Sequence, residues 1–191
     1  MSKIDYSSDK SGGLEEARGS DSRLNVSSRS DSRSYYNSRD EAQAYSVPFA
    51  MADAAVGEFV VYWRNTSSDR KLVIDAIGFN AIENAHAILH YVSGTAAGGN
   101  ELTPTNLNKS SSNAAPSDST VSAMEGGAAA TGITGLTSIS VIDRANVQAN
   151  GHEEFRLADR LRLGQNDAIA IEYDVGTTGN FSGVVFGFYE T

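Results

Sequence analysis

A chain of 191 residues, 40 % of them hydrophobic, has the length for one ordinary domain with some chain left over. Lys and Arg number 15 against 24 Asp and Glu, and the resulting charge of -9 repels nucleic acid and anionic membranes unless the cations are segregated. Cysteine is absent, which excludes disulfides, thiolate metal sites and cysteine nucleophiles together.

The first residues, Met1 to Lys10, contain no apolar run of the kind an export signal needs, and no stretch of about 18 apolar residues occurs anywhere. Neither the secretory route nor a membrane partner is expected. The sequons at Asn25, Asn65 and Asn180 then read as coincidences of a Ser/Thr-rich composition.

Residues 1–46 are rich in Ser, Asp, Arg and Gly, and their apolar residues are too scattered to bury a core, so alone they are expected to be disordered. Ser20 to Arg39 form two ten-residue units, each opening Ser-Asp-Ser-Arg and closing Ser-Arg. Such a repeat resembles the Arg/Ser-rich segments that bind RNA. Residues 1–45, however, hold seven Lys and Arg against eight acids, so no excess positive charge is available to release counterions, and no nucleic-acid partner is expected. An arm of alternating sign suits a protein surface that carries both signs. Leu24, Val26, Tyr35, Tyr36 and Tyr45 would be its apolar anchors, and Arg29, Arg33 and Arg39 its charged contacts.

From residue 47 to residue 191 the pattern changes to short apolar runs between turn residues. EFVVYWRN alternates Phe59, Val61 and Trp63 with Val60, Tyr62 and Arg64, which predicts a strand. RKLVIDAIGFNAI and HAILHYVSG follow as two more strands. After a long interval come ITGLTSISVIDRANVQA, EEFRLADRLRLG, DAIAIEYDVG and FSGVVFGFYE, with Asn150-Gly151 as a hairpin turn between the first two. The fold class expected is all-β, an antiparallel β-sandwich or jelly roll with an extended N-terminal arm. Residues 94–132 are a long stretch of small residues inside this domain. Two readings stand for it, a surface excursion pinned by Leu102, Leu107 and Val121, or a partner contact.

Catalytic and metal signatures are weak. His86 and His90 are four apart, but on a strand that separates them by about 13 Å, too far to share a small metal ion. His152 to Glu154 read as an exposed start of a hairpin strand. Asp143, Asp159, Asp167, Glu172 and Asp174 are acids without a spacing that makes two of them converge, and Asp167 is explained by turn chemistry. No Gly-x-Ser-x-Gly elbow or phosphate-binding loop occurs. The expectation is a non-enzyme with no cofactor and no metal.

The segments FVVYWRNTSSDRKLVIDAIGF, VSGTAAGGNELTPTNLN and GHEEFRLADRLRLGQNDAIAIEYDVGTTGNFSGVVFGFYE resemble small all-β structural proteins of tailed bacteriophages, over roughly residues 55–190. The closing strands are also similar in layout to those of trimeric jelly rolls of the tumour-necrosis-factor type. The resemblance implies a virion protein made in the host cytoplasm, such as a capsid decoration (cement) protein that binds the major capsid protein or other virion proteins. Alternatives are a head–tail, neck or tail subunit, or a receptor- or glycan-binding tail module. It implies a homo-oligomer, with a trimer as one form, and assigns no catalytic residue. Gly183 and Gly187, four apart in the last strand, would share a face and leave room for another backbone.

Overall fold

The computed structural model describes residues 5–7, 14–16, 43–111, 119–123, 132–174 and 179–190. The chain divides into two units, Met1–Asp31 and Ser32–Thr191. In the first, β1 (Asp5–Ser7) and β2 (Leu14–Glu16) pair antiparallel, with Asp5 opposite Glu16 and Ser7 opposite Leu14. The expected arm contacts Leu24, Val26, Arg29, Arg33, Tyr35, Tyr36 and Arg39 lie outside the described residues.

The second unit runs through β3 (Ala44–Ala54), β4 (Glu58–Asn65), β5 (Lys71–Ala81), β6 (Ala85–Ala97), β7 (Asn100–Glu101), β8 (Thr105–Asn106) and β9 (Ser119–Ala123). It closes with β10 (Thr134–Val147), β11 (Gly151–Leu163), β12 (Ala168–Asp174) and β13 (Gly179–Glu190). No helix occurs among the described residues. β3 begins inside the segment that composition assigns to the arm. Its alternation Tyr45, Val47, Phe49, Met51 turns one face inward, so Tyr45 is a core residue, 3 % exposed, with its ring edge-on to Tyr189.

Two antiparallel sheets result, with orders β11-β5-β13-β3-β8 and β10-β6-β12-β4-β9-β7. The eight long strands pair as nested shells: β3 with β13, β4 with β12, β5 with β11, and β6 with β10. Further ladders join β12 to β6 and β13 to β5, and each connection between consecutive long strands except β6 to β10 passes from one sheet to the other. This is the jelly roll, one long antiparallel ribbon rolled into two sheets. It also alters the expected hairpin at Asn150-Gly151. The turn is present, with Asn150 at φ 57 and Gly151 N donating to Gln148 O at 2.8 Å, but β10 and β11 leave it for opposite sheets.

The long interval of small residues is the tip of the rolled ribbon, between β6 and β10. It folds back so that β9 pairs with the outer edge of β4 and β8 with the outer edge of β3. Both sheets are thereby covered along one side, where bare backbone would otherwise template aggregation. Leu102 packs against the core, whereas Leu107 is exposed. On the opposite side β10 and β11 remain as edges among the described residues.

Between the sheets lies one large core. Trp63, Leu72, Ile74, Ile77, Phe79, Ile171, Tyr173 and Val185 are buried completely, each such side chain contributing about 1.5–3 kcal/mol by removal from water. Phe79 meets Phe155 and Phe181 at ring separations of 4.9 and 5.8 Å, and Tyr173 meets Phe181 at 5.3 Å. Gly183 faces this core. A methyl group there would run into Gly78 O and lie 2.6 Å from Phe49 Cζ, and one at Gly187 would lie 2.9 Å from Val73 O. Both glycines therefore admit the chain's own neighbouring strands and rings.

Candidate functional site

One buried asparagine organises an end of the sandwich. Asn65 closes β4 with 0 % exposure, and its Nδ2 donates to Leu163 O and to Arg70 O, each at 2.9 Å. Its Oδ1 accepts from Ser67 N at 3.0 Å, its backbone N donates to Asp167 O at 3.0 Å, and its carbonyl accepts from Asn166 N at 2.7 Å. A β-branched or apolar residue could make none of the side-chain bonds, which is why an amide ends this strand. Its side-chain amide is committed inside the fold, so in the folded chain this sequon is inaccessible.

Asn65 thereby ties two turns together. In the β4–β5 turn, Ser67 Oγ donates to Asp69 Oδ1 at 2.7 Å, which holds the Asp69 carboxyl below its ordinary value. In the β11–β12 turn, Gly164 N donates to Asp167 Oδ2 at 2.8 Å, the backbone capping expected of Asp167 from its sequence position. Asn166 sits in the left-handed region at φ 68 and its Oδ1 accepts from Arg64 Nη2 at 2.7 Å.

Beside these turns opens a cleft of about 410 Å³. Arg64 and Tyr62 come to it from β4, Tyr91 and Ser93 from β6, Ile139 and Ser140 from β10, Arg162 from β11, and Asn166 and Asp167 from the turn. Arg64 is fixed between Asn166 and the Tyr62 hydroxyl. Arg162 is half exposed and meets Glu190 Oε2 only through Nε, at 3.6 Å. Burial raises the Tyr91 phenol above its ordinary value, and the Asp167 carboxylate adds to the rise. Burial raises Tyr62 as well, with the Arg64 charge opposing it. None of this was readable from sequence beyond Asp167, because five separate strands and a turn supply the lining.

A second constellation crosses the face of the same sheet. Directly opposed residues share a face, which places Tyr62, Ala170 and His90 in one row and Phe59, Glu172 and Ile88 in the next. His90 Nδ1 lies 2.8 Å from Ser138 Oγ, and its Nε2 lies 2.7 Å from Glu172 Oε2. This second contact does not have the geometry of a directed hydrogen bond. The imidazole and the Phe59 ring meet at right angles, 5.6 Å between centroids. A serine, a histidine and a carboxylate thus stand in line on β10, β6 and β12. The string ties three strands together across the sheet face, and Ile139 and Ser140 beside Ser138 line the cleft. The one signal for it in the sequence is a glutamate inside the apolar run AIAIEYD.

His86 pairs with a different carboxylate, Asp174, at 3.9 Å on the exposed end of the same ladder. Asp143 bonds the neighbouring Arg144 N, and the side chain of Asp159 is outside the described residues. Among the described residues no three His, Asp or Glu side chains converge as a metal-binding group. His152, Glu153 and Glu154 are exposed, with His152 Nδ1 3.0 Å from Asn80 Oδ1.

Comparison with known proteins gives no relative: no family model, no curated protein and no solved structure matches this chain.

Proposed function

We propose that the chain is a non-enzymatic structural subunit of a virus particle, in the manner of a capsid decoration protein. It would bind capsid or other virion subunits and associate with copies of itself, with the segment before β3 reaching onto neighbours. The observation that carries this reading is the asymmetry of the sandwich edges. The ribbon tip covers β3 and β4, whereas among the described residues β10 keeps a long free edge bearing Ile139 and Val141, 67 % and 42 % exposed. A free edge with apolar side chains favours pairing with another subunit. Jelly rolls are a recurrent architecture of viral capsid domains, which supports the same reading by analogy of fold.

Two changes test it. Val141→Lys places a charge on the free edge without touching the cleft, and deletion of 1–42 removes the segment before β3 while keeping Tyr45 in the core. Self-association in sedimentation, and occupancy and heat stability of the particle, should fall with one change or both. A monomeric wild-type chain that binds no particle overturns the proposal.

A further inference from the structure

The cleft beside the Asn65 tie holds polar groups that the fold itself does not use. Among the described residues, Tyr91, Ser93 and Ser140 bring hydroxyls to it that have no protein partner, and Asp167 spends only Oδ2 on Gly164. Arg162 keeps the outer edge of its guanidinium free. Tyr62, Tyr91, Val92 and Ile139 add apolar surface between these groups. A volume of about 410 Å³ falls in the range of small-ligand pockets.

The chemistry of the lining narrows the ligand. Hydroxyls together with a free carboxylate oxygen suit a molecule that both donates and accepts at several points. Aromatic and aliphatic surface suits the C–H faces of a ring. The lining holds two guanidiniums and one carboxylate, and Glu190 outside it pairs with Arg162 at 3.6 Å, so the cation left to a ligand is Arg64. A bare phosphate would satisfy the arginines and be repelled by Asp167, and a neutral sugar would leave Arg64, whose partners Asn166 and Tyr62 are both neutral, without a counter-charge. We infer that the cleft binds an acidic saccharide, a sugar ring bearing a carboxylate, with the fixed Arg64 facing the carboxylate and Arg162, Asp167, Tyr91, Ser93 and Ser140 facing hydroxyls.

Two features preorganise it. Arg64 is held in place before any ligand arrives, by Tyr62 and by Asn166 in its left-handed conformation. The turn that carries Asn166 and Asp167 is itself anchored through Asn65. Little ordering remains to be done on binding. The inference does not rest on the virion reading, although Ile139 belongs both to the cleft lining and to the free edge of β10.

The test is a titration of the full chain followed by amide chemical shifts, with digalacturonate as the acidic probe, cellobiose as the neutral one and inorganic phosphate as the purely anionic one. Digalacturonate should shift the amides of Ser93, Gly94, Ile139, Ser140, Asn166 and Asp167, with a Kd of about 1 mM or tighter. Cellobiose and phosphate should bind at least about tenfold more weakly, and Arg64→Gln should weaken digalacturonate by about tenfold while leaving the amides away from the cleft unchanged. Tyr91→Phe, which removes one hydroxyl, should weaken it less. Shifts located elsewhere, no approach to saturation at about 20 mM, or equal binding of the three probes overturns the inference. So does full binding by both variants.

Discussion

Asn65 Nδ2 donates to the carbonyl of Leu163, 98 residues further along the chain, at 2.9 Å in a fully buried setting. This bond joins the end of β4 in one sheet to the end of β11 in the other. Replacement by Ala leaves the buried carbonyl of Leu163, the part-buried carbonyl of Arg70 and the amide of Ser67 without that partner, each buried group worth about 1–3 kcal/mol when unsatisfied. Asn65→Ala should therefore lower unfolding stability by about 3 kcal/mol or more, and Asn65→Asp should do no better because a carboxylate would face two carbonyls. Denaturant unfolding checks this; a loss below about 1 kcal/mol would show that relaxation or water replaces the tie.

His90 and Glu172 should be energetically coupled. His90 is almost fully buried, Glu172 is partly exposed, and 2.7 Å separates His90 Nε2 from Glu172 Oε2. A double-mutant cycle with His90→Phe and Glu172→Gln should return a coupling of about 0.5–3 kcal/mol, discounted toward the lower end by solvent at Glu172. Ser138→Ala should cost less than either, since a serine on an exposed edge strand is replaced by water.

Gly183→Ala should destabilise strongly for its size. The added methyl meets a backbone carbonyl and the Phe49 ring, neither of which can rotate away without moving β5 or β3. Overpacking of this kind costs about 1–3 kcal/mol, and Phe49→Leu should recover part of it if the ring is the obstacle. Thermal melts of the single and double variants distinguish the two contacts.

Tyrosine ionisation should limit the fold at alkaline pH. Burial raises Tyr62, Tyr91 and Tyr173 above the ordinary value of 10.0, so the folded state holds these phenolic protons more tightly than the unfolded chain. Their contribution to stability is complete below 10.0 and is lost as pH rises through the folded values. Unfolding curves should be insensitive to these groups at neutral pH and shift to lower denaturant above 10.0. Tyr91→Phe should reduce the shift, and an unchanged slope would remove Tyr91 from the account.

The strands were legible in the sequence because alternation with period two is a local property. EFVVYWRN coincides with β4, and the later runs overlie β5, β6 and β10 to β13 to within a few residues. The all-β class and the turn at Asn150-Gly151 follow from the same local chemistry. The start of the domain was read slightly late, because Ala44 to Ser46 lie beside the polar repeat and Tyr45 shows its role only when opposite Tyr189.

Tertiary structure alone decided which strands pair and therefore which residues meet. β10 and β11 are adjacent in sequence, yet they part into opposite sheets because the nested ribbon pairs each with an earlier strand. The stretch of small residues from 94 to 132 carries no pattern that reveals it as the cover for β3 and β4. Asn65 and Asn166, or His90 and Glu172, are ordinary polar residues until strands far apart in sequence bring them within hydrogen-bond or ion-pair distance. Side-chain alternation is set by each residue's own backbone, whereas a cleft is set by long-range registers, and only the latter place two arginines, a carboxylate and two phenols around one space.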